Sequence, residues 1–247
     1  MNFGVNVLTC AVGHGKFGYA PRARMMKTRR RFCDSDIRRV LRRSLAEEFA
    51  GDQTTVILDE FGCAGARADI AVVNGKLHAY EIKSEVDTLD RIDNQVRGYG
   101  LVFDNVTAVV AVKHVEKLSK KIPTWWGITA VDCDGDHPAL RRVRCGKKNP
   151  TIDLAALSRL LWRNEAFQFL KRLGHHDDLR RASAAKIRQR IVEEVSIAQV
   201  AAEVRRVLKL RGVNLVVQRR IQNGDSCTTE PIAVARQKNL NWLLSLQ

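Results

Sequence analysis

The stretch Glu60–Lys83, EFGCAGARADIAVVNGKLHAYEIK, decides how this chain is read. RADIAVV (67–73) and KLHAYEIK (76–83) have the β-branched, apolar make-up of strands, and Asn74–Gly75 between them is a strong hairpin signal. Residues i and i+2 of a strand share a face, so Glu81 and Lys83 project together while Tyr80 and Ile82 point into the opposite layer. With Asn74 and Gly75 as a two-residue turn, Val73 lies opposite Lys76. Asp69 then lies opposite Tyr80, next to Glu81, and a bulge would settle which face it shares. Two carboxylates converging at one end of a sheet form a hard-oxygen site suited to Mg²⁺, which tolerates few protein ligands. An ion there polarises a phosphate and lowers the pKa of a bound water. Lys83 beside it is placed to orient or deprotonate that water and to neutralise charge developing on the phosphate.

Working outward, TTVILDEF (54–61) is a third strand that precedes these two, with a glycine-containing turn at 62–66. Before it, Asp34 or Ser35 caps a helix to about Phe49, whose stripe is Ile37, Leu41, Leu45 and Phe49. Glu47 and Glu48 fall in its last turn, where the macrodipole disfavours acids, which marks either a task or pairing with arginines one turn back. After Lys83, Asp87 and Asp90 suggest the start of a helix with the stripe Leu89, Ile92, Val96 and Tyr99, so Gln95 borders its inward face. NVTAVVAV (105–112) reads as a strand buried on both faces, and GITAVDCD (127–134) as one more. The order is helix, three-strand meander, helix, strand, strand: an α/β sandwich with a mixed central sheet flanked by helices. This defines a domain over 34–146, preceded by a basic arm (1–33) and followed by a basic helical extension (147–212) and an unassigned tail (213–247) with a strand-like run at Val213–Val217.

The formal charge is +15, a balance that points to a polyanionic partner, nucleic acid before an anionic membrane surface. Residues 1–33 contribute to this charge with basic residues and no acid, and Arg29, Arg30 and Arg31 end their basic cluster; Arg67 and Arg91 add phosphate-gripping candidates near the central stretch. Alternatively the natural start lies at Met25 or Met26 and the residues before it have no function; the Arg-rich, acid-free composition also resembles that of an organelle-targeting peptide, which no other feature supports. Six cysteines without a Cys-x-x-Cys pair indicate neither zinc nor a disulfide framework, which fits a reducing cytoplasm. No run is long and apolar enough to span a membrane.

Asp69, then Glu81-Ile82-Lys83 on the next strand, then Gln95 on the following helix, resembles the PD-(D/E)XK nuclease superfamily. The resemblance covers about Asp34 to Asp134. RADIAVVNGKLHAYEIKSEVDTLDRIDNQVRGY and the later IPTWWGI are further similar to a bacterial family of uncharacterised proteins placed in that superfamily. The resemblance implies a restriction-endonuclease-like core, Mg²⁺ or Mn²⁺ on Asp69 and Glu81, and a water positioned by Lys83. It implies an accessory role for Gln95 and a further acid at the metal, for which Glu48 on the first helix and Glu60 on the first strand are the candidates. Ala68 stands where the superfamily commonly has proline. The expected activity is metal-dependent hydrolysis of phosphodiester bonds, with DNA preferred by analogy. The alternative is a non-catalytic nucleic-acid-binding or regulatory protein on the same fold; a third is a defence effector that needs a partner. A homo-oligomer is not indicated.

Four other features have plain structural readings. His114 is expected as a satisfied structural histidine, Trp125–Trp126 as core or loop anchors and His175–His176 as solvent-exposed, while DCDGD (132–136) lacks the distal glutamate of a calcium loop.

Overall fold

The computed structural model describes residues 31–134 and 137–222; Arg29, Arg30 and the rest of the arm to residue 30, and the tail from 223, lie outside the described residues. Helix α1 (Asp34–Glu48) leads into β1 (Val56–Cys63), β2 (Ala66–Val73) and β3 (Leu77–Lys83). Then follow α2 (Ile92–Gly100), β4 (Asn105–Ala111), α3 (Val112–Ser119), β5 (Gly127–Asp134) and β6 (His137–Arg144). Four helices complete the described chain: α4 (Leu154–Ser158), α5 (Arg163–Arg172), α6 (Ala184–Glu194) and α7 (Ile197–Gln222).

The six strands form one mixed sheet in sequence order. β1, β2 and β3 run antiparallel, β3, β4 and β5 are parallel, and β6 returns antiparallel on β5. The parallel centre explains the near-continuous apolar run of β4, because a strand covered on both faces has no solvent side on which to place polar residues. On one face the α1 stripe Ile37, Leu41 and Leu45 packs on Ile70, Val72, Tyr80, Ile82, Val109 and Val131. The other face is larger. There Ala71, Val73, Ala79, Ala108, Val110 and Ile128 meet Tyr99 and Phe103 from α2 and its exit, and also Leu157, Leu170, Ile191, Val200 and Val204 from α4–α7.

That shared core corrects the expected domain division. Residues 147–212 are not a separate extension but the second helical layer of the sheet domain, held also by Asn149, whose side chain donates to the carbonyls of Gly100 and Phe103 at 2.8 Å. Val213–Val217, expected as strand-like, falls inside α7. α3 and β6 were not anticipated. β6 carries Arg141, Arg142 and Arg144 on an edge strand, where alternation is diluted by solvent. Asp87 does not cap α2; its carboxylate accepts from the Ser84 amide and hydroxyl in the preceding turn, and α2 begins at Ile92 after Arg91.

The hairpin register also differs by one residue. Asn74 does not enter a two-residue turn. Its side-chain oxygen accepts from the Lys76 amide (2.9 Å) in a three-residue loop, which sets Val73 opposite Leu77 and Ile70 opposite Tyr80. The two-residue turn with left-handed backbone is Ala64–Gly65, joining β1 to β2. α2 lies close over that turn: a Cβ on Gly98 would stand 2.8 Å from the Ala66 Cβ and 3.2 Å from the Ala64 carbonyl. Gly98→Leu is therefore expected to destabilise the fold by about 1–3 kcal/mol through overpacking, read as a lower urea midpoint at unchanged slope.

No helix among the described residues is long and apolar enough to cross a membrane.

Candidate active site

The one-residue shift in register brings the two carboxylates onto one face. Continuing the β2–β3 pairing past Ile70↔Tyr80 sets Asp69 opposite Glu81, and opposed residues share a side of the sheet. The backbone ladder stops there. Instead of a carbonyl, the Asp69 Oδ2 accepts from the Ile82 amide at 2.7 Å, while Glu81, Ile82 and Lys83 stay paired to β4. A side chain standing in for a ladder acceptor lets the strands part where the polar groups gather.

Glu81 is 2% exposed and Lys83 6%. The Lys83 ammonium donates to Glu81 Oε1 at 2.6 Å, and the Gln95 amide nitrogen donates to the same oxygen. On the other oxygen, Tyr99 has its hydroxyl 2.6 Å from Glu81 Oε2 and 2.6 Å from the Arg67 carbonyl. One phenolic proton cannot serve both acceptors. Burial, then repulsion from Asp69, raises the Glu81 pKa against the opposing pull of Lys83. Asp69 is raised too, chiefly by burial, with the Ile82 amide and Arg38 pulling it back. Burial and the neighbouring Glu81 carboxylate push Tyr99 far up, so it remains a donor.

A carboxyl whose pKa is raised by folding holds its proton more tightly in the folded state. Its contribution to stability is whole below the ordinary carboxylate range and is lost as pH climbs through the raised value. Wild-type stability is thus expected to fall with rising pH above about pH 4, and Glu81→Gln to flatten that fall, in urea titrations up to about pH 8.

Arg38 reaches the site from α1. Its guanidinium donates to Asp69 Oδ1 (2.9 Å) and to the Asp69 carbonyl (2.8 Å), lies 3.0 Å from Glu60 and also contacts Asp34. Glu60 makes a second ion pair, with Arg67 at 2.8 Å, and holds a backbone φ of +53° that a non-glycine residue rarely adopts. Of the two candidates for a further acid, Glu60 therefore stands at the site, one guanidinium away from Asp69. Glu48 does not. It is exposed at the far end of α1, where it lines a cavity of about 380 Å³ with His78, Tyr80, Thr107 and Arg142. The physical reason is length: ten residues of helix separate Arg38 from Glu48, and a helix rises about 1.5 Å per residue. Glu47 pairs with Arg43 instead.

Among the phosphate-gripping candidates, Arg67 is exposed beside Glu60, Arg91 is exposed just before α2, and Arg31 is exposed before α1. Trp126 is fully buried, stacked 5.8 Å from Tyr99, as a core anchor should be. His114 contacts the Ser84 carbonyl at 3.1 Å. His175 and His176 are half-buried rather than solvent-exposed, the first 3.9 Å from Glu194 and the second edge-on to Phe167.

The arrangement can receive a hard cation. Asp69 Oδ1 faces the site, and Gln95 Oε1 is buried without a hydrogen-bond partner directly beside Glu81. A buried acceptor with no donor is costly, and a cation would satisfy it. Among the described residues no group of three His, Cys, Asp or Glu side chains could hold a metal, and a cation here would have two carboxylates and an amide oxygen as its donors. That set suits an ion that keeps most of its waters.

The family model described as bacteriophage P4 protein cII matches residues 34–226. The chain belongs to the bacteriophage P4 cII family. Protein cII of Enterobacteria phage P4 is 26% identical over 140 residues, which cover 54% of this chain and 53% of that protein. The chain thus spans about half the length of the curated relative it matches. A solved structure of a protein of unknown function from Silicibacter pomeroyi aligns over 77% of this chain and 94% of its own with a TM-score of 0.39 and 15% identity. The match to the cII family takes in every residue of the cluster, from Arg38 on α1 to Tyr99 on α2.

Two members of the cluster were missed from sequence. Tyr99 was counted as part of an apolar stripe, although it follows Gln95 by one helical turn and so shares its face. Arg38 was one of four arginines on α1, and only its place next to the stripe residue Ile37 sets it apart.

Proposed function

We propose that this cII-family chain is a divalent-metal-dependent nuclease of the PD-(D/E)XK type, acting on phosphodiester bonds of nucleic acid, DNA foremost. The observation that carries this reading is the convergence of Asp69, Glu81, Lys83 and Gln95 on one buried patch at the point where β2 and β3 part. Two carboxylates whose pKa values are both raised form a site that gains from a cation. Asp69 Oδ1, Glu81 and Gln95 Oε1 would hold Mg²⁺ or Mn²⁺, which when bound supplies an acidified water and a Lewis acid for the phosphate. The Lys83 ammonium, fixed against Glu81, orients that water and offsets charge developing on the phosphate. The surplus of basic residues draws the polyanion to the protein.

The test is cleavage of supercoiled, linear, single-stranded and branched DNA and of RNA, with Mg²⁺ or Mn²⁺, by wild type and by Glu81→Gln. Metal-dependent cutting by the wild type and none by the variant supports the reading. Equal cutting by both, or none by the wild type, removes it.

A second reading keeps the fold without the catalysis: a nucleic-acid-binding or regulatory protein. One observation favours it, since Arg38 and Lys83 already neutralise the two carboxylates. Salt-sensitive DNA binding by a chain that takes up no divalent metal would select it.

A further inference from the structure

The contacts of Arg38 mark it as more than a helix-surface arginine. Asp69 has one oxygen committed to the Ile82 amide, leaving Oδ1 as the oxygen free to take a metal, and the Arg38 guanidinium sits on Oδ1 at 2.9 Å. The same guanidinium spans to Glu60 at 3.0 Å, so it occupies the space between the two acids and covers the Asp69 oxygen that a cation would take. Its position is built from both sides. Asp34, one turn back on α1, holds its Nε at 3.1 Å. From β1, Glu60 reaches it with strained backbone at φ +53°, a cost persisting where the surroundings over-determine it and clustering at functional sites. Yet Arg38 is not sealed in: its side chain is 21% exposed and that of Glu60 44%, within reach of an arriving phosphate.

We propose that Arg38 is a displaceable counter-cation that neutralises the metal-binding carboxylates in the free protein and leaves them for a phosphate of bound nucleic acid, so that metal and nucleic acid bind cooperatively. This rests on the metal-dependent reading of the site. A guanidinium and a divalent ion cannot both sit on Asp69 Oδ1 without strong like-charge repulsion. Phosphate is the natural alternative partner, since its oxygens match the planar donor fork of arginine. By linkage, whatever draws Arg38 from Asp69 raises the affinity for metal, and bound metal raises the affinity for nucleic acid by the same factor.

The experiment is calorimetric titration of the full chain with Mn²⁺, alone and with a phosphorothioate DNA duplex that resists cleavage. Wild type, Arg38→Gln and Glu60→Gln are compared. For the free protein, Arg38→Gln is expected to bind Mn²⁺ at least tenfold more tightly than wild type. The duplex should tighten wild type by a similar factor and the variant far less. Glu60→Gln changes a half-exposed side chain and leaves Asp69 intact. It loosens one anchor of Arg38 and should shift Mn²⁺ affinity in the same direction by a smaller factor, which guards against a folding defect in Arg38→Gln. Equal affinities and equal duplex effects across the three proteins would overturn the role of Arg38 while leaving the metal site standing. No Mn²⁺ binding by any of them would overturn both.

Discussion

Lys83→Met is expected to cost about 3–5 kcal/mol of stability at neutral pH, because it strands a carboxylate in the core. Glu81 is 2% exposed, and among the described residues its ion-pair partner is the Lys83 ammonium at 2.6 Å. Methionine fills much the same volume, so the loss is electrostatic rather than a cavity. The remaining route to relief is protonation of Glu81, already favoured by burial and by Asp69. The deficit should therefore shrink as pH falls toward the carboxylate range, and the double variant Glu81→Gln/Lys83→Met should recover most of it, since an uncharged pair needs no counter-charge. Urea titrations of the four proteins at two pH values measure this cycle. A single variant as stable as wild type at neutral pH would mean that Glu81 is not held as an ion by Lys83. On activity, loss of the ammonium is expected to lower metal-dependent cleavage by about 10²–10³-fold, the scale of removing one preorganised group from a developing oxyanion.

Asp69→Asn separates charge from architecture. The amide oxygen can still accept from the Ile82 amide, so the junction between β2 and β3 persists, while Arg38 loses its anionic partner. Metal affinity should drop by at least about 10²-fold, beyond what loss of an outer-shell contact does, and cleavage with it. Stability should change by much less than in Lys83→Met, because Asp69 is only partly buried and its charge is one that burial already opposes. A variant that still binds Mn²⁺ as wild type does would place the metal elsewhere.

How far the sequence reveals this molecule depends on how local each signal is. The strands of the meander and β4 were legible because a β-branched, apolar make-up and a continuous apolar run are properties of a few adjacent residues. Glu81 and Lys83 share a face for the same reason. The position of Asp69 was legible only to within one residue, because a side-chain contact from Asn74 to Lys76 selects a three-residue loop over a two-residue turn. That single slip decides whether Asp69 faces Glu81 or stands beside it. Glu48 was misplaced because a helix residue's destination depends on how the helix axis lies across the sheet, which no local pattern encodes. The packing of residues 147–212 into the core is legible only in part, for a related reason: their amphipathic faces specify that something is covered, not what covers it.

The most direct test is a crystal of the full chain soaked in Mn²⁺ and measured for anomalous scattering. The account predicts a peak between Asp69 Oδ1 and Glu81, with Gln95 Oε1 turned toward it and the Arg38 guanidinium moved off Asp69. An empty site at saturating Mn²⁺, with Arg38 and Lys83 still seated on the two carboxylates, would contradict it.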